Sequence, residues 1–247
     1  MKLRAWLASL VQNALRRLGY ELHAYPPPVA VEPDDRRRAR LLESRGITLL
    51  LDVGANAGQF AEKARATGFS GRIVSFEPLS GAYAELSERS AGDPDWEARR
   101  TALGDRDGRV EMNVAGNVTS SSLLPMGARH LESAPQSAYV GTETVSTARL
   151  ERIWNELARP DDRVWLKLDV QGYELHALSG AAPVLDRIDV VQTEMALQHL
   201  YEGDASWLEL VGWLEERGFR LAGLEAGFED PETGELLQAD GIFVRAV

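Results

Sequence analysis

The sequence predicts an α/β fold, a mostly parallel sheet with helices on both faces. Short apolar runs bounded by glycine, proline or an acid alternate with stretches of helical periodicity, the pattern of strand–helix–strand units. The runs at Leu49–Leu51, Ile73–Phe76 and Val164–Leu168 read as strands buried on both faces of a sheet. Each then meets a carboxylate, at Asp52, Glu77 or Asp169, at the strand end where open parallel sheets gather their ligands.

Composition agrees with one ordinary domain. A chain of 247 residues can bury a sizeable core, and 44% hydrophobic with 26% charged residues is a globular balance. A net charge of -11 and a pI of about 4.9 argue against a general nucleic-acid binder, which needs a basic field. The chain has no cysteine, so disulfides, thiolate metal sites and a cysteine nucleophile are excluded. This is compatible with a cytoplasmic location. No apolar run reaches the roughly eighteen residues that span a bilayer.

Residues 1–45 stand apart from the expected domain at 46–247. Leu3, Trp6, Leu7, Leu10, Ala14 and Leu18 follow helical spacing, and Lys2, Arg4, Arg16 and Arg17 add basic charge. Residues 1–25 therefore fit a peripheral helix on the inner face of an anionic membrane, or a helix packed on the domain or on a second copy of the chain. The packed reading is favoured, since amphipathic helices usually face a core. Pro26-Pro27-Pro28 imposes an extended linker, and Asp34 to Ser44 reads as a helix leading into the first strand.

The first strand runs into Asp52-Val53-Gly54-Ala55-Asn56-Ala57-Gly58-Gln59-Phe60, a glycine loop followed by a helix start. Such loops let backbone approach a ligand and present free amides. Asn56 and Gln59 stand where a dinucleotide fingerprint needs glycines, and no Lys-Ser or Lys-Thr follows as in a P-loop. A loop for a nucleoside without polyphosphate remains, with Asp52 at its mouth suiting a cationic ligand such as S-adenosyl-L-methionine; an ordinary tight turn fits this stretch equally. Glu77, before Pro78, falls where a carboxylate on the neighbouring strand accepts ribose hydroxyls.

Further on, Trp96 to Leu103 reads as the third strand, whose end lies beside a bound adenine, so Ala102 and Leu103 are candidate ring contacts. Asp107-Gly108 is a hairpin signal ahead of the alternating strand Val110–Val114. The hydroxyl-rich stretch holding Asn117, Ser120, Ser121 and Ser122 is either a flexible loop or a wall for the acceptor substrate. In the strand Val164–Leu168, Trp165, Lys167 and Asp169 share one face, and a buried lysine needs a partner, Asp52 or Asp169. Glu174 opens the following helix, where the dipole favours an acid. Ile188–Glu194 reads as a fifth strand ending in an acid, followed by a loop with His199 and Tyr201. Trp207 to Arg217 is helical, and Phe219–Leu224 and Gly241–Arg245 complete seven strands, the last antiparallel.

The stretches Asp52–Phe60, Phe76-Glu77-Pro78 and Lys167-Leu168-Asp169-Val170-Gln171-Gly172-Tyr173-Glu174, followed by Leu178-Ser179-Gly180-Ala181, resemble the FkbM-type methyltransferases. The resemblance covers about residues 46–247. It implies a Rossmann-like class I methyltransferase fold, S-adenosyl-L-methionine as cofactor, and O-methylation of a hydroxyl on a sugar, glycolipid or polyketide-like acceptor. The expected cofactor contacts are Asp52, Gly54, Ala55, Asn56, Gly58, Gln59, Glu77, Pro78, Ala102, Leu103 and Asp169. Asn117, Ser120, Ser121, Ser122 and Tyr201 are the expected acceptor contacts.

An alcohol must lose its proton, so a base is expected among Asp169, Glu194 and His199. Asp169 comes first, for its strand-end position near Lys167. No ligand spacing demands a metal. Methyl transfer to nitrogen, or a fold kept for binding without turnover, are the alternatives; an oxidoreductase is distant because of Asn56.

Overall fold

The computed structural model describes residues 32–246. The expected helix and proline linker of residues 1–28 lie outside them. A seven-stranded sheet is built from β1 (Leu49–Val53), β2 (Arg72–Phe76), β3 (Trp96–Arg99), β7 (Val164–Leu168), β8 (Val190–Ala196), β9 (Phe219–Ala226) and β10 (Gln238–Arg245). A three-stranded sheet is built from β4 (Ala102–Leu103), β5 (Gly108–Ala115) and β6 (Tyr139–Ala148). The helices are α1 (Pro33–Ser44), α2 (Gln59–Ala66), α3 (Ser80–Ser90), α4 (Ala128–Ser133), α5 (Leu150–Leu157), α6 (Glu174–Ala181) and α7 (Trp207–Glu215).

The large sheet runs β3-β2-β1-β7-β8-β10-β9. β10 alone is antiparallel to its neighbours, so this is the expected α/β fold with seven mostly parallel strands and an antiparallel last one. The strand order reverses between β1 and β7, which opens a crevice at their C-terminal ends.

Alternation along β1 sends Leu49 and Leu51 to one face and Leu50 to the other, and all three are fully buried. Each contributes roughly 1.5–3 kcal/mol by burial, which seats β1 in the middle of the sheet. On the Leu50 side lie Leu42 of α1, Ala61 and Ala64 of α2, Leu86 of α3 and the indole of Trp165. On the Leu51 side lie Trp154 of α5, Leu178 of α6 and Leu214 of α7. Gly218, at φ +81°, ends the turn after α7. No helix among the described residues is long and apolar enough to cross a membrane.

Two sequence expectations are corrected here. The stretch Trp96–Leu103 is not one strand: β3 ends at Arg99, and Ala102 and Leu103 leave the main sheet to pair with Thr147 and Ala148 of β6. Asp107-Gly108 makes no hairpin, because β6 lies between β4 and β5. Asp107 instead accepts from the Arg149 backbone amide at 2.9 Å.

Candidate active site

Register places two rows of polar side chains across the face that packs on α1 and α2. The first is Ser75, Asp52, Lys167 and Gln192, neighbours by strand pairing. Two residues further along the strands come Glu77, Gly54, Asp169 and Glu194, and pairing continues the row to Asp240 and Glu225. Gly54 is the only member without a side chain. A Cβ there would sit 1.8 Å from the Asp169 carbonyl oxygen, so β1 and β7 close up only around a glycine.

One ammonium anchors the rows. Lys167 Nζ lies 3.2 Å from Asp52 Oδ1 and 3.5 Å from Asp169 Oδ2, and donates to the Gly54 carbonyl at 3.2 Å. Burial works against its charge, but Asp52 and Asp169 outweigh burial and hold its pKa above the ordinary lysine value. Asp52 is fully buried, also accepts from Ser75 Oγ at 3.2 Å, and does not line the crevice. The expectation that it meets a ligand directly is therefore corrected: its carboxylate is spent on Lys167 and Ser75, below the floor. At the far end, the Arg38 guanidinium pairs with Glu225 and Asp35.

Three adjoining recesses open at the strand ends. The first encloses about 750 Å³, part of it open to solvent. Its walls are Val53, Phe76, Leu103, Met112 and Leu123, with Gly54, Asn56, Pro78, Ala102, Ser121 and Tyr173 around them. Glu77 and Asp169 line it, and among the described residues no lysine or arginine does.

Glu77 Oε2 accepts from the Asn56 amide and Oε1 from the Leu79 amide, both at 2.9 Å. This bond holds Asn56 at φ +48°, a conformation asparagine tolerates. Burial pushes the Glu77 carboxyl up to about 7, against the pull of those two amides.

The second recess adjoins the first at Gly54, Asn56 and Asp169, and adds Ala55, Gln59, Lys63, Gln192 and Asp240. The Gln192 amide oxygen is buried there without a hydrogen-bond partner among the described residues. Gly58 lines neither recess; at φ +91° it carries the chain against Trp96 and Leu86.

The third recess meets the first at Thr119 and Gln171. It is lined by Asn117, Ser120, His130, Gln136, Ser137, Glu194, Phe228 and Gln238. Burial holds the His130 imidazole below its ordinary pKa. The hydroxyl-rich stretch is thus a built wall: Asn117 Nδ2 donates to Ser120 Oγ at 2.9 Å and to Ser137 Oγ at 3.0 Å.

Ser122 and Tyr201 are fully buried behind that wall and line none of these recesses, which corrects their expected acceptor contact. They pack against Gln171: Ser122 Oγ donates to its carbonyl at 2.7 Å, and the Tyr201 hydroxyl lies 2.8 Å from its Oε1. His199 is a further correction. Its ring is 66% exposed, outside the recesses, and bonded to Asp204.

The sequence reading passed over Gln171 as a site residue. Its Nε2 donates at 2.9 Å both to Asp169 Oδ1 and to Glu194 Oε2. Burial first, then the charges of Asp169, Glu174 and Asp240, raise the Glu194 carboxyl well above the ordinary range. Glu174 is itself buried and raised, accepting from the Val170 amide at 2.9 Å. Burial, then Asp169, push Asp240 up to about 6.

A parallel sheet of this order with its crevice at the switch point is an α/β ligand-binding architecture, and the comparisons with known proteins give its family. The family model described as Methyltransferase FkbM domain matches residues 52–221. The chain belongs to that family. No curated protein matches the sequence.

Among solved structures, it is similar to the O-methyltransferase TomG from Streptomyces achromogenes, at 14% identity over 96% of this chain and 89% of that one, with a TM-score of 0.48. A putative methyltransferase from Thermobifida fusca has 13% identity over 86% and 79%, at a TM-score of 0.47. A putative RNA methyltransferase from Pyrococcus horikoshii has 14% identity over 87% and 85%, at 0.46. Likeness this distant carries no argument about the acceptor.

Proposed function

We propose that the protein methylates a hydroxyl of a sugar, glycolipid or polyketide-like acceptor, using S-adenosyl-L-methionine. The observation that carries this reading is the crevice with two carboxylates and, among the described residues, no basic side chain, beside a recess rich in amides and hydroxyls. The first repels polyphosphates and suits a cationic nucleoside; the second suits a neutral acceptor with several hydroxyls, which Phe228 can stack against.

The residues present fit the cofactor. Glu77 would accept from the ribose hydroxyls, and Ala102 and Leu103 would flank the base. The unpartnered Gln192 oxygen and Asp240 would receive the ammonium, and Lys63 the carboxylate. The cofactor supplies a methyl group already activated by its sulfonium, so the protein's main task is to align the acceptor oxygen with it.

The acceptor hydroxyl also loses a proton. Glu194 takes the base role in this proposal, because it alone of the strand-end acids lines the third recess, and a raised pKa makes a better proton acceptor near neutrality once ionised. Asp169, the first choice from sequence, lines the crevice and its neighbouring recess instead, 3.5 Å from the Lys167 ammonium.

The test has two arms. Calorimetry should show S-adenosylhomocysteine binding and NADH failing to bind. Incubation with labelled S-adenosyl-L-methionine and extract from the source should label a product, with Glu194→Gln lowering the rate by about 10²-fold or more while cofactor affinity is kept. A Glu194→Gln enzyme of normal rate returns the role to Asp169.

A further inference from the structure

We propose that Gln171 is a positioning residue for methyl transfer, spanning the partition between the crevice and the third recess and fixing one carboxylate of each on the two hydrogens of a single amide. The role rests on the methyltransferase reading above.

The geometry is specific. Gln171 lines both spaces. Its Nε2 reaches Asp169, on the crevice side, and Glu194, on the other, at 2.9 Å each. An amide turned the other way would aim its oxygen at two carboxylates, so the acids themselves set its direction, and Oε1 is left facing the Tyr201 hydroxyl at 2.8 Å.

The backbone is held with equal care. Gln171 is in the left-handed region at φ +55°, a conformation costly for a residue with a side chain unless its surroundings impose it. Ser122 Oγ bonds its carbonyl, and Gly172, at φ +91°, lets the Tyr201 ring pack where a Cβ would meet it at 3.0 Å.

The chemical consequence follows from charge. Asp169 and Glu194 repel each other when both are ionised, and Glu194 is also faced by Glu174 of α6, Asp240 of β10, Lys167 of β7 and the Tyr201 hydroxyl, with His130 of α4 lining its recess. Two amide hydrogens stabilise the doubly ionised pair. Gln171 thus keeps Glu194 available as a base beside Asp169, and holds it at a set place in the acceptor recess.

The experiment is a carbon-13 NMR titration of glutamate-labelled protein bound to S-adenosylhomocysteine, with Glu194→Gln identifying the Glu194 carboxyl signal. In Gln171→Met the midpoint should rise by about one pH unit, as a carboxylate loses a hydrogen bond. Tyr201→Phe frees the amide, and should move the midpoint the same way by less. A purely structural glutamine would lower the melting temperature and leave the titration where it was. An unchanged midpoint in a folded Gln171→Met protein overturns the proposal; if that variant does not fold, an unchanged midpoint in Tyr201→Phe does so. Failure of the wild-type protein to bind S-adenosylhomocysteine would instead strike the methyltransferase reading itself, and this role with it.

Discussion

The Asn56 amide and the Glu77 carboxylate meet at 2.9 Å between the glycine loop and the end of β2. One carboxylate thereby shapes the loop and faces the nucleoside crevice. Glu77→Ala should weaken S-adenosylhomocysteine binding by about 1–3 kcal/mol in calorimetry. The Glu77 carboxyl sits at about 7 in the folded chain against an ordinary 4.5. Its contribution to stability is therefore present below about pH 4.5 and lost as pH rises through 7. Ribose hydroxyls donate to the ionised form, so affinity should rise across the same window in wild type and stay flat in Glu77→Gln.

Lys167→Met removes the ammonium from between Asp52 and Asp169 and strands a fully buried Asp52. Denaturant unfolding should show a loss of about 3–5 kcal/mol. The double variant Lys167→Met/Asp52→Asn should recover part of it, since no buried charge is left unpaired.

Gly54→Ala and Gly68→Ala separate backbone strain from contact. Both glycines have positive φ, +74° and +101°, but a Cβ at Gly68 meets nothing within 4 Å. Gly68→Ala should cost about 1–2 kcal/mol. Gly54→Ala should cost clearly more, because its Cβ would collide with the Asp169 carbonyl. Equal losses on thermal unfolding would mean that β1 and β7 are free to part.

His199→Gln should leave the methyl-transfer rate within about twofold, because the ring lies outside the recesses. Asp204 raises the His199 pKa above 6.5. The pair's contribution is present below pH 6.5 and fades as pH climbs through the folded value. The ring is mostly exposed, so this amounts to no more than about 1 kcal/mol.

Strand identity and the polar strand ends were legible because they depend on local runs and alternation. Period alone put Lys167 and Asp169 on one face, and neighbouring strands then brought Asp52 into reach. Depth along a strand was not legible. Asp52 and Glu77 look alike in sequence, yet one lies a row below the crevice and the other on its wall.

The break after Arg99 escaped because a continuous run hides the change of partner from β2 to β6, a long-range pairing. Gln171 escaped for a related reason. Its role depends on a positive φ and on Tyr201 and Glu194, which are distant in sequence; the following glycine was the only local signal.

Among the described residues, β6 pairs with β5 on one side and β4 on the other, and neither β5 nor β6 pairs with the seven-stranded sheet. The connection between them supplies Asn117, Ser120, Gln136 and Ser137 to the third recess, so on the proposed function most of the acceptor's surroundings come from one connection. Its sequence can drift toward a new acceptor while the register of the floor, and with it the grip on the nucleoside, stays fixed. One chassis could in this way have diversified among acceptors by rewriting the recess-lining positions of a single connection.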